Sequence, residues 1–433
     1  MNFQDSQDYL LSLGNEVSAM KLGLDNIQRL LRELRDPQKN YPKVQVAGTN
    51  GKGSVCAFVN SICLKAAINV GMYTSPHLTS ITERIKIEGN DISESDFARI
   101  ATTVRETSEK LVADGELEFV PTFFEQVTAI ALVAFAEAKV ELAILETGLG
   151  GRLDATTATD AEFAAITRID IDHQKYLGDS IEEIAAEKAA IIHAGSKVVA
   201  QRQSRVAEQA IAGRCREVGV SPTWSTENIL VKREPDVLPA LIATFATERS
   251  SYGNILLWNM LGEHQIENAA LSIGVAELLR DAGFPIDTSA IELGLETARH
   301  PGRLEFVDNL LLDGAHNIGG AQALREFLDK FVHRPITMIF GAMEDKNVAE
   351  IGEILFPKAD KLILTRAENS RTITPAAILN LTRAHCPDET VLTEHSGEAI
   401  DAAKNISTAE SLIVVTGSLY LVGEVRSRVI RNS

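Results

Sequence analysis

Apolar positions along this chain follow two rhythms that alternate for most of its length. Short solid apolar runs mark strands buried on both faces of a parallel sheet, and stretches with apolar residues every three to four positions mark helices packed on one side. The solid runs stand at Val44–Ala47, Val70–Tyr73, Val140–Leu145 and Phe163–Ile169, and again at Leu310–Leu312, Ile336–Phe340, Lys361–Thr365 and Leu412–Thr416. Arg84–Ile87 alternates instead, with charge on one face, and Ile255–Met260 reads as a further strand. The periodic stretches predict helices over residues 5–36, where Leu22, Leu24, Ile27, Leu30, Leu31 and Leu34 form a stripe that Pro37 closes, and directly after Ser54. They predict more at Asp91–Lys110, Pro121–Lys139, Ser180–His193, His264–Leu279 and Pro285–Ala298. Ser93 with Asp96, and Ser180 with Glu183, are the capping pairs of two of these. Repeated strand–helix units predict an α/β protein. The Arg299-His-Pro-Gly-Arg303 linker divides it into residues 1–297 and a smaller doubly wound domain, 298–433.

Chemistry collects where the predicted strands end. Gly48-Thr-Asn-Gly-Lys-Gly-Ser54 joins the first strand to a helix. Three glycines let backbone N–H groups turn inward, Lys52 brings a positive charge, and the Ser54 hydroxyl can face a magnesium ion, so the stretch is a phosphate cradle. It departs from the strict G-x-x-x-x-G-K-[ST] spacing, because Gly53 separates Lys52 from Ser54. The second strand runs into Thr74-Ser-Pro-His-Leu78, which reads as an ordinary Ser-Pro turn or as a loop facing a nucleotide. Glu146 closes the next solid run and leads into Thr-Gly-Leu-Gly-Gly-Arg-Leu-Asp154, the position at which open α/β sheets bind ligands. Asp170-Ile-Asp-His173 leaves a fourth strand. Two further features stay open. Phe123 and Phe124 at a helix start are core or the wall of a flat aromatic pocket. Lys188 shares a helical face with Ile181, Ile184 and Ile191, so its amine either snorkels to water or is desolvated.

Composition narrows the class. The 433 residues are 45% apolar and 24% charged, with a mean hydropathy near zero, as in globular proteins. A net charge of -18 argues against a polyanion-binding surface, though a local cradle still accommodates phosphate. Four cysteines (Cys56, Cys63, Cys215 and Cys386) show neither a disulfide framework nor zinc spacing. The N-terminal residues lack a signal-peptide pattern, and no apolar run is long enough to span a bilayer. A cytoplasmic protein with no nucleic-acid or membrane partner is expected.

Together the motifs resemble the Mur ligase superfamily and, within it, the folylpolyglutamate synthase/dihydrofolate synthase family. The resemblance rests on VAGTNGKGS, TSPHL, PTFFE, LETGLGGRLDAT, IDHQKYLGDS, AAEKAAII, HQIENAA, HPGRLE, DGAHN and TGSLYLVGEV, in that order over nearly the whole chain. It implies a Mur-ligase-like α/β fold, with a P-loop ATP-binding domain and a smaller Rossmann-like C-terminal domain. It implies an ATP-dependent ligase that phosphorylates a pteroate or folate carboxylate and joins glutamate to the acyl phosphate. Asn50, Gly51, Lys52, Gly53 and Ser54 then hold the ATP phosphates, with Asn268, Arg303 and Asp313 on the nucleotide. Ser54, Ser75, Glu146, His173 and Lys188 match magnesium ligands at two sites, Lys188 as a carbamate, and potassium is a further candidate cofactor. Lys52, Lys188 and His316, in the DGAHN loop, are the catalytic candidates. Thr122, Phe124, Asp154 and Ala155 match the pterin pocket. The expected partners are ATP, L-glutamate and dihydropteroate or folates, and the expected state is a monomer. Departures are Thr157 for a common Asn, Ala190 for a common Gly, and His193-Ala194 for a common Lys-Pro. Lys21-Leu22 stands where some bifunctional members carry an acid.

The leading expectation is a bifunctional enzyme acting on dihydropteroate and on folates. A Mur-type ligase with another carboxylate acceptor is the second reading, disfavoured because the cradle begins by residue 44 and leaves no separate UDP-sugar domain before it. A P-loop ATPase switch without ligase activity is the third. It predicts slow hydrolysis indifferent to glutamate.

Overall fold

The solid apolar runs form parallel strands and the periodic stretches form helices. The computed structural model describes residues 1–14, 23–232, 239–369 and 371–430. In chain order the strands are β1 Lys43–Ala47, β2 Val70–Tyr73, β3 Ile85–Ile87, β4 Asn90–Asp91, β5 Leu142–Glu146, β6 Phe163–Ile166, β7 Lys197–Ala200 and β8 Pro222–Trp224. Then come β9 Ile229–Lys232, β10 Leu241–Ala246, β11 Ser251–Leu257, β12 Glu305–Val307, β13 Leu310–Leu312, β14 Ile336–Phe340, β15 Lys361–Leu364, β16 Thr390–Leu392 and β17 Leu412–Thr416.

Two compact units partition the chain. The first comprises residues 1–229, 244–255 and 267–298, and the second residues 230–243, 256–266 and 299–433. The first holds an eight-stranded sheet in the order β4-β3-β2-β5-β1-β6-β7-β8. All its pairings are parallel except β2–β3 and β3–β4. The register decides where the chemistry goes. Val46 of β1 lies beside Glu146 of β5 and Ala165 of β6, and Tyr73 of β2 lies beside Leu145. Four strands therefore end level, and their four loops emerge side by side, as open α/β sheets do at a ligand crevice.

The second unit holds a six-stranded sheet, β12-β13-β17-β14-β15-β16, parallel apart from the β12–β13 hairpin. Met338, Phe340, Leu362, Leu364 and Val414 pack on one face with Leu324, Phe327, Leu328, Ile351 and Ile378 of three helices. Strands β9 to β11 form a separate three-stranded sheet. Among the described residues no helix is long and apolar enough to cross a membrane.

Caps appear where sequence placed them. Ser180 accepts from the Glu183 amide and the Glu183 carboxylate answers, and Ser93 accepts from the Asp96 amide. Several boundaries differ, each for a local reason. Among the described residues, the single helix expected over residues 5–36 appears as two helices, Phe3–Ser12 and Asp25–Glu33, the first followed by Gly14 at φ 97°. Ile27, Leu30 and Leu31 of the expected stripe are buried, while Lys21 and Leu22 lie outside the described residues. Strand β6 stops at Ile166, short of Ile169, whose N–H leaves the ladder for the Gln203 side chain at 2.9 Å. The helix expected through His193 runs only from Ile181 to Ala189, because the Glu187 carbonyl accepts from the Arg152 N–H at 3.0 Å. Arg84 sits in a turn before β3 and not in the strand, its Nε donating to His77 Nδ1 at 2.8 Å.

Candidate active site

Gly51 starts the helix Lys52–Lys65 at φ 90°, a left-handed conformation that any side chain resists. A Cβ there would also overlap Asn268 Oδ1. Gly48 is hemmed in too, since a Cβ on it would overlap Thr167 Oγ1. The loop between them is pinned from the β6 side. The Thr49 and Asn50 amides donate to the Arg168 carbonyl at 2.8 and 3.2 Å. Thr167 Oγ1 donates to the Asn50 carbonyl at 2.7 Å, and Asn50 Nδ2 to Asp170 Oδ2 at 2.8 Å. Because glycine offers no capping side chain, the first-turn amides of this helix point at an anion site, with the positive end of the helix dipole behind them. Lys52 Nζ lies over the loop, 3.3 Å from the Thr49 carbonyl, and Ser54 is buried in the helix's first turn. Gly53 lies between them.

Lys188 does not snorkel. It is 4% exposed, and its Nζ donates to the Gly48 carbonyl at 2.8 Å, directly under the cradle. Burial pushes its amine down to about 7, helped by the nearby charge of Lys52 and opposed by Asp172, Asp154 and Glu187. A large neutral fraction at neutral pH follows. Glu146, also buried, accepts the Ser75 N–H at 3.1 Å, so the β2 and β5 loops meet at its carboxylate. Glu146 and Lys52 both act on the buried Cys56 thiol, which desolvation pushes well up. His173, at φ 52°, opens the short helix Gln174–Leu177, with its Nε2 3.9 Å from Asp172 Oδ2.

Phe124 stands over the glycine loop: a Cβ on Gly148 would meet its ring at 2.5 Å, and the Tyr73 ring centroid is 6.0 Å away. It is partly buried and packs against the core cluster to which its neighbour Phe123 belongs. Thr122 caps the helix Phe123–Glu137, exchanging bonds with Glu125. The Asp154 carboxylate is buried and accepts from Leu149 N at 2.9 Å, Thr156 N at 3.0 Å and Thr156 Oγ1 at 2.5 Å. Ala155 begins the turn that follows and is buried. The side-chain oxygens of Thr122 and Asp154 are thus already engaged in local bonds. Sequence reading assigned no role to Gln45 or Thr167, which tie the loops together with Asp170 of the ligand-type stretch 170–173. Periodicity carries no signal for side chains that meet through the sheet.

Fourteen of the sequence-selected residues lie in the first unit, and Arg303, Asp313 and His316 lie in the second. Arg303 Nη1 donates to the Gly314 carbonyl at 3.0 Å, and His316 Nδ1 is 2.8 Å from the same oxygen. Asp313 is buried and accepts the Leu304 and Ala315 amides, each at 2.9 Å. Burial pushes its carboxyl up and Arg303 opposes the shift. Half-buried His264 has its imidazole pushed down to about 4, by desolvation first and then by Arg303. The unfolded chain binds a proton below pH 6.5 that the folded chain excludes until about pH 4. Stability is therefore expected to fall as pH drops from 6.5 to 4, by on the order of 2–3 kcal/mol from this group. Thermal unfolding of His264→Gln should show a flatter acid limb than the parent; an identical limb would refute the assignment.

The metal-ligand candidates Ser54, Ser75, Glu146, His173 and Lys188 offer three oxygen donors and no thiolate, a chemistry that suits magnesium or manganese better than a thiolate-seeking ion. Among the described residues no group of three or more His, Cys, Asp and Glu side chains is arranged to hold a metal alone. A divalent ion here must complete its shell with hydroxyl, water and phosphate oxygens, as magnesium does at nucleotide sites.

Residues 46–276 match the model of the Mur ligase middle domain, and residues 302–419 that of the Mur ligase glutamate ligase domain. The chain is 34% identical to the dihydrofolate synthase/folylpolyglutamate synthase of Bacillus subtilis, over 98% of this chain and 99% of the relative. It spans about half the length of two haloarchaeal relatives, the probable bifunctional folylpolyglutamate synthase/dihydropteroate synthases of Haloferax volcanii and Halobacterium salinarum, covering 50% and 52% of them at 32% and 34% identity. Mycobacterium tuberculosis folylpolyglutamate synthase complexed with ADP superposes with a TM-score of 0.91 at 30% identity, covering 99% of this chain and 98% of that one. A bifunctional folylpolyglutamate synthase/dihydrofolate synthase with Mn, AMPPNP and L-glutamate bound superposes with a TM-score of 0.85 at 27% identity, covering 99% and 98%.

Proposed function

The chain belongs to the folylpolyglutamate synthase/dihydrofolate synthase branch of the Mur ligases, and from that premise we propose that it is an ATP-dependent ligase joining L-glutamate both to dihydropteroate and to reduced folates. The observation that carries the reading is the Lys188 amine, buried under a left-handed glycine cradle and bonded to the Gly48 carbonyl. A switch ATPase has no need of a second lysine desolvated beneath its phosphate loop.

The reaction runs in two displacements. An acceptor carboxylate oxygen attacks the γ-phosphorus of ATP, and the bond to ADP breaks. The glutamate amine then attacks the acyl carbon, a C–N bond forms, phosphate leaves, and the amine sheds a proton. Lys52 and the first-turn amides of the helix Lys52–Lys65 hold the phosphates and offset charge on the transferring group. A divalent ion, when bound, supplies further charge neutralisation through Ser54, Ser75, Glu146, His173 and Lys188. Neutral Lys188 adds carbon dioxide: its nitrogen bonds the carbon, one π pair moves to oxygen, and an N–H proton goes to solvent. The product is a carboxylate where an ammonium would repel the ion. Phe124 and the Asp154-shaped loop receive the pterin. Asn268 of the first unit and Arg303 and Asp313 of the second are assigned to the nucleotide, and His316 to the catalytic residues.

Phosphate release from ATP, with glutamate present, tests this when dihydropteroate and a tetrahydrofolate are offered separately. Glutamate-dependent release with both supports the bifunctional reading. Release with one assigns a single activity, and basal hydrolysis indifferent to glutamate refutes the ligase. Phe124→Ala is expected to raise the KM for dihydropteroate about tenfold, the loss of one aromatic contact, with the KM for ATP unmoved. A change confined to ATP would put the acceptor elsewhere.

A further inference from the structure

Gln45 is a polar side chain on the central strand of the larger sheet, only 1% exposed. Its strand neighbours are Leu145 and Ala164, which belong to two different apolar clusters. Such a group destabilises the fold unless its hydrogen bonds are made. Its Nε2 lies 2.9 Å from Thr156 Oγ1 and 2.8 Å from Thr157 Oγ1, with Thr147 Oγ1 at 3.3 Å.

The proton inventory settles the direction of these bonds. A threonine hydroxyl has one proton. Thr156 gives its proton to Asp154 Oδ1 at 2.5 Å, and Thr157 gives its own to the Gly151 carbonyl at 2.7 Å. Each hydroxyl can therefore only accept from Gln45, whose amide carries two protons, one for each. Two relays result. One runs Gln45–Thr156–Asp154 and on to the Leu149 N–H, next to the Gly148 that lies under the Phe124 ring. The other runs Gln45–Thr157–Gly151, and Gly151 packs against the carbonyls of Glu187 and Lys188, so closely that a Cβ would meet the first at 2.5 Å.

We infer that Gln45 is a positioning residue for the acceptor: its two amide protons set the register of the 147–157 loop, and through Thr156 and Asp154 they fix the wall on which the pterin stacks. The proposal rests on the ligase reading above. Both Asp154 oxygens are held by loop donors, so Asp154 acts by shaping this wall. Gln45 itself is buried in the sheet and acts through these hydroxyls.

The test is acceptor affinity against nucleotide affinity, by equilibrium titration of the intact protein with dihydropteroate and with a non-hydrolysable ATP analogue. Gln45→Met keeps length and volume without the N–H groups, and Thr156→Val keeps shape without the hydroxyl. Each is expected to raise the dihydropteroate Kd about tenfold, the scale of a lost buried hydrogen bond to a charged network, with the analogue's Kd unchanged. Thr156→Ser retains the hydroxyl and should bind as the parent does. If Gln45→Met does not fold, the Thr156 pair decides alone. Unchanged acceptor affinity in folded Thr156→Val overturns the proposal, as does an equal loss for both ligands, which would mean a general loosening of the sheet. A parent protein that binds the ATP analogue but no pterin acceptor overturns the ligase reading and this proposal with it.

Discussion

Lys188→Ala is expected to lower ligase turnover by at least about a hundredfold, the scale of losing a metal-orienting group at a catalytic centre, and high bicarbonate should not restore it. The amine is the only part of this side chain with chemistry to offer. It is held by the Gly48 carbonyl, and burial and Lys52 bring it down to about 7, so that about half of it is neutral near pH 7. Neutrality is what carbon dioxide addition demands, and the proposed carbamate would turn a repelling charge into an oxygen ligand. Alanine also leaves a cavity, so loss of activity alone would be ambiguous. Lys188→Met separates the two effects, because methionine fills the space and no longer asks the fold to bury an amine. Lys188→Met should therefore be as inactive as Lys188→Ala while melting at or above the parent temperature. Near-parental turnover of either variant at saturating magnesium would end the carbamate proposal.

Gly51→Ala is expected to raise the KM for ATP by about one to two orders of magnitude with folding intact. Two costs add. A non-glycine residue in the left-handed region costs roughly 1–2 kcal/mol. The new methyl must also displace the Asn268 side chain, which sits where that Cβ would go. Both distort the turn that aims the first-turn amides at phosphate. The costs can be told apart by repeating the substitution in an Asn268→Ala background, which removes the overlap and leaves the strain. A smaller penalty there assigns part of the effect to Asn268. An unchanged penalty assigns it all to the backbone, and no penalty in either background would mean that the loop does not hold ATP.

Much of the crevice was legible in the chain because its parts are local. Strand, glycine turn and helix follow one another within Val44–Ser61, and each is recognisable from its own neighbours. Capping pairs at Ser93 and Ser180 are legible for the same reason, since a cap and its partner are three residues apart. The break of the N-terminal helix after Ser12 was misread because a leucine stripe further on outweighed one glycine, Gly14. The stop of the Ile181–Ala189 helix was not legible at all, since the carbonyl that ends it is claimed by Arg152, in a loop 35 residues away.

The sequence by itself determined the alternation of strands and helices, the cradle and its flanking strand-end loops, and the pairing of Lys188 with an apolar helical face. Only the tertiary structure decided whether that lysine reached water, because burial depends on what packs over the helix: here the Gly48 carbonyl lies within 2.8 Å of the amine. Only it tied Gln45 to the loop after β5, through bonds to hydroxyls 111 and 112 residues away. A periodic pattern records which face of an element is apolar. It holds no record of which distant atoms complete a proton inventory, and that is where the shape of this crevice is set.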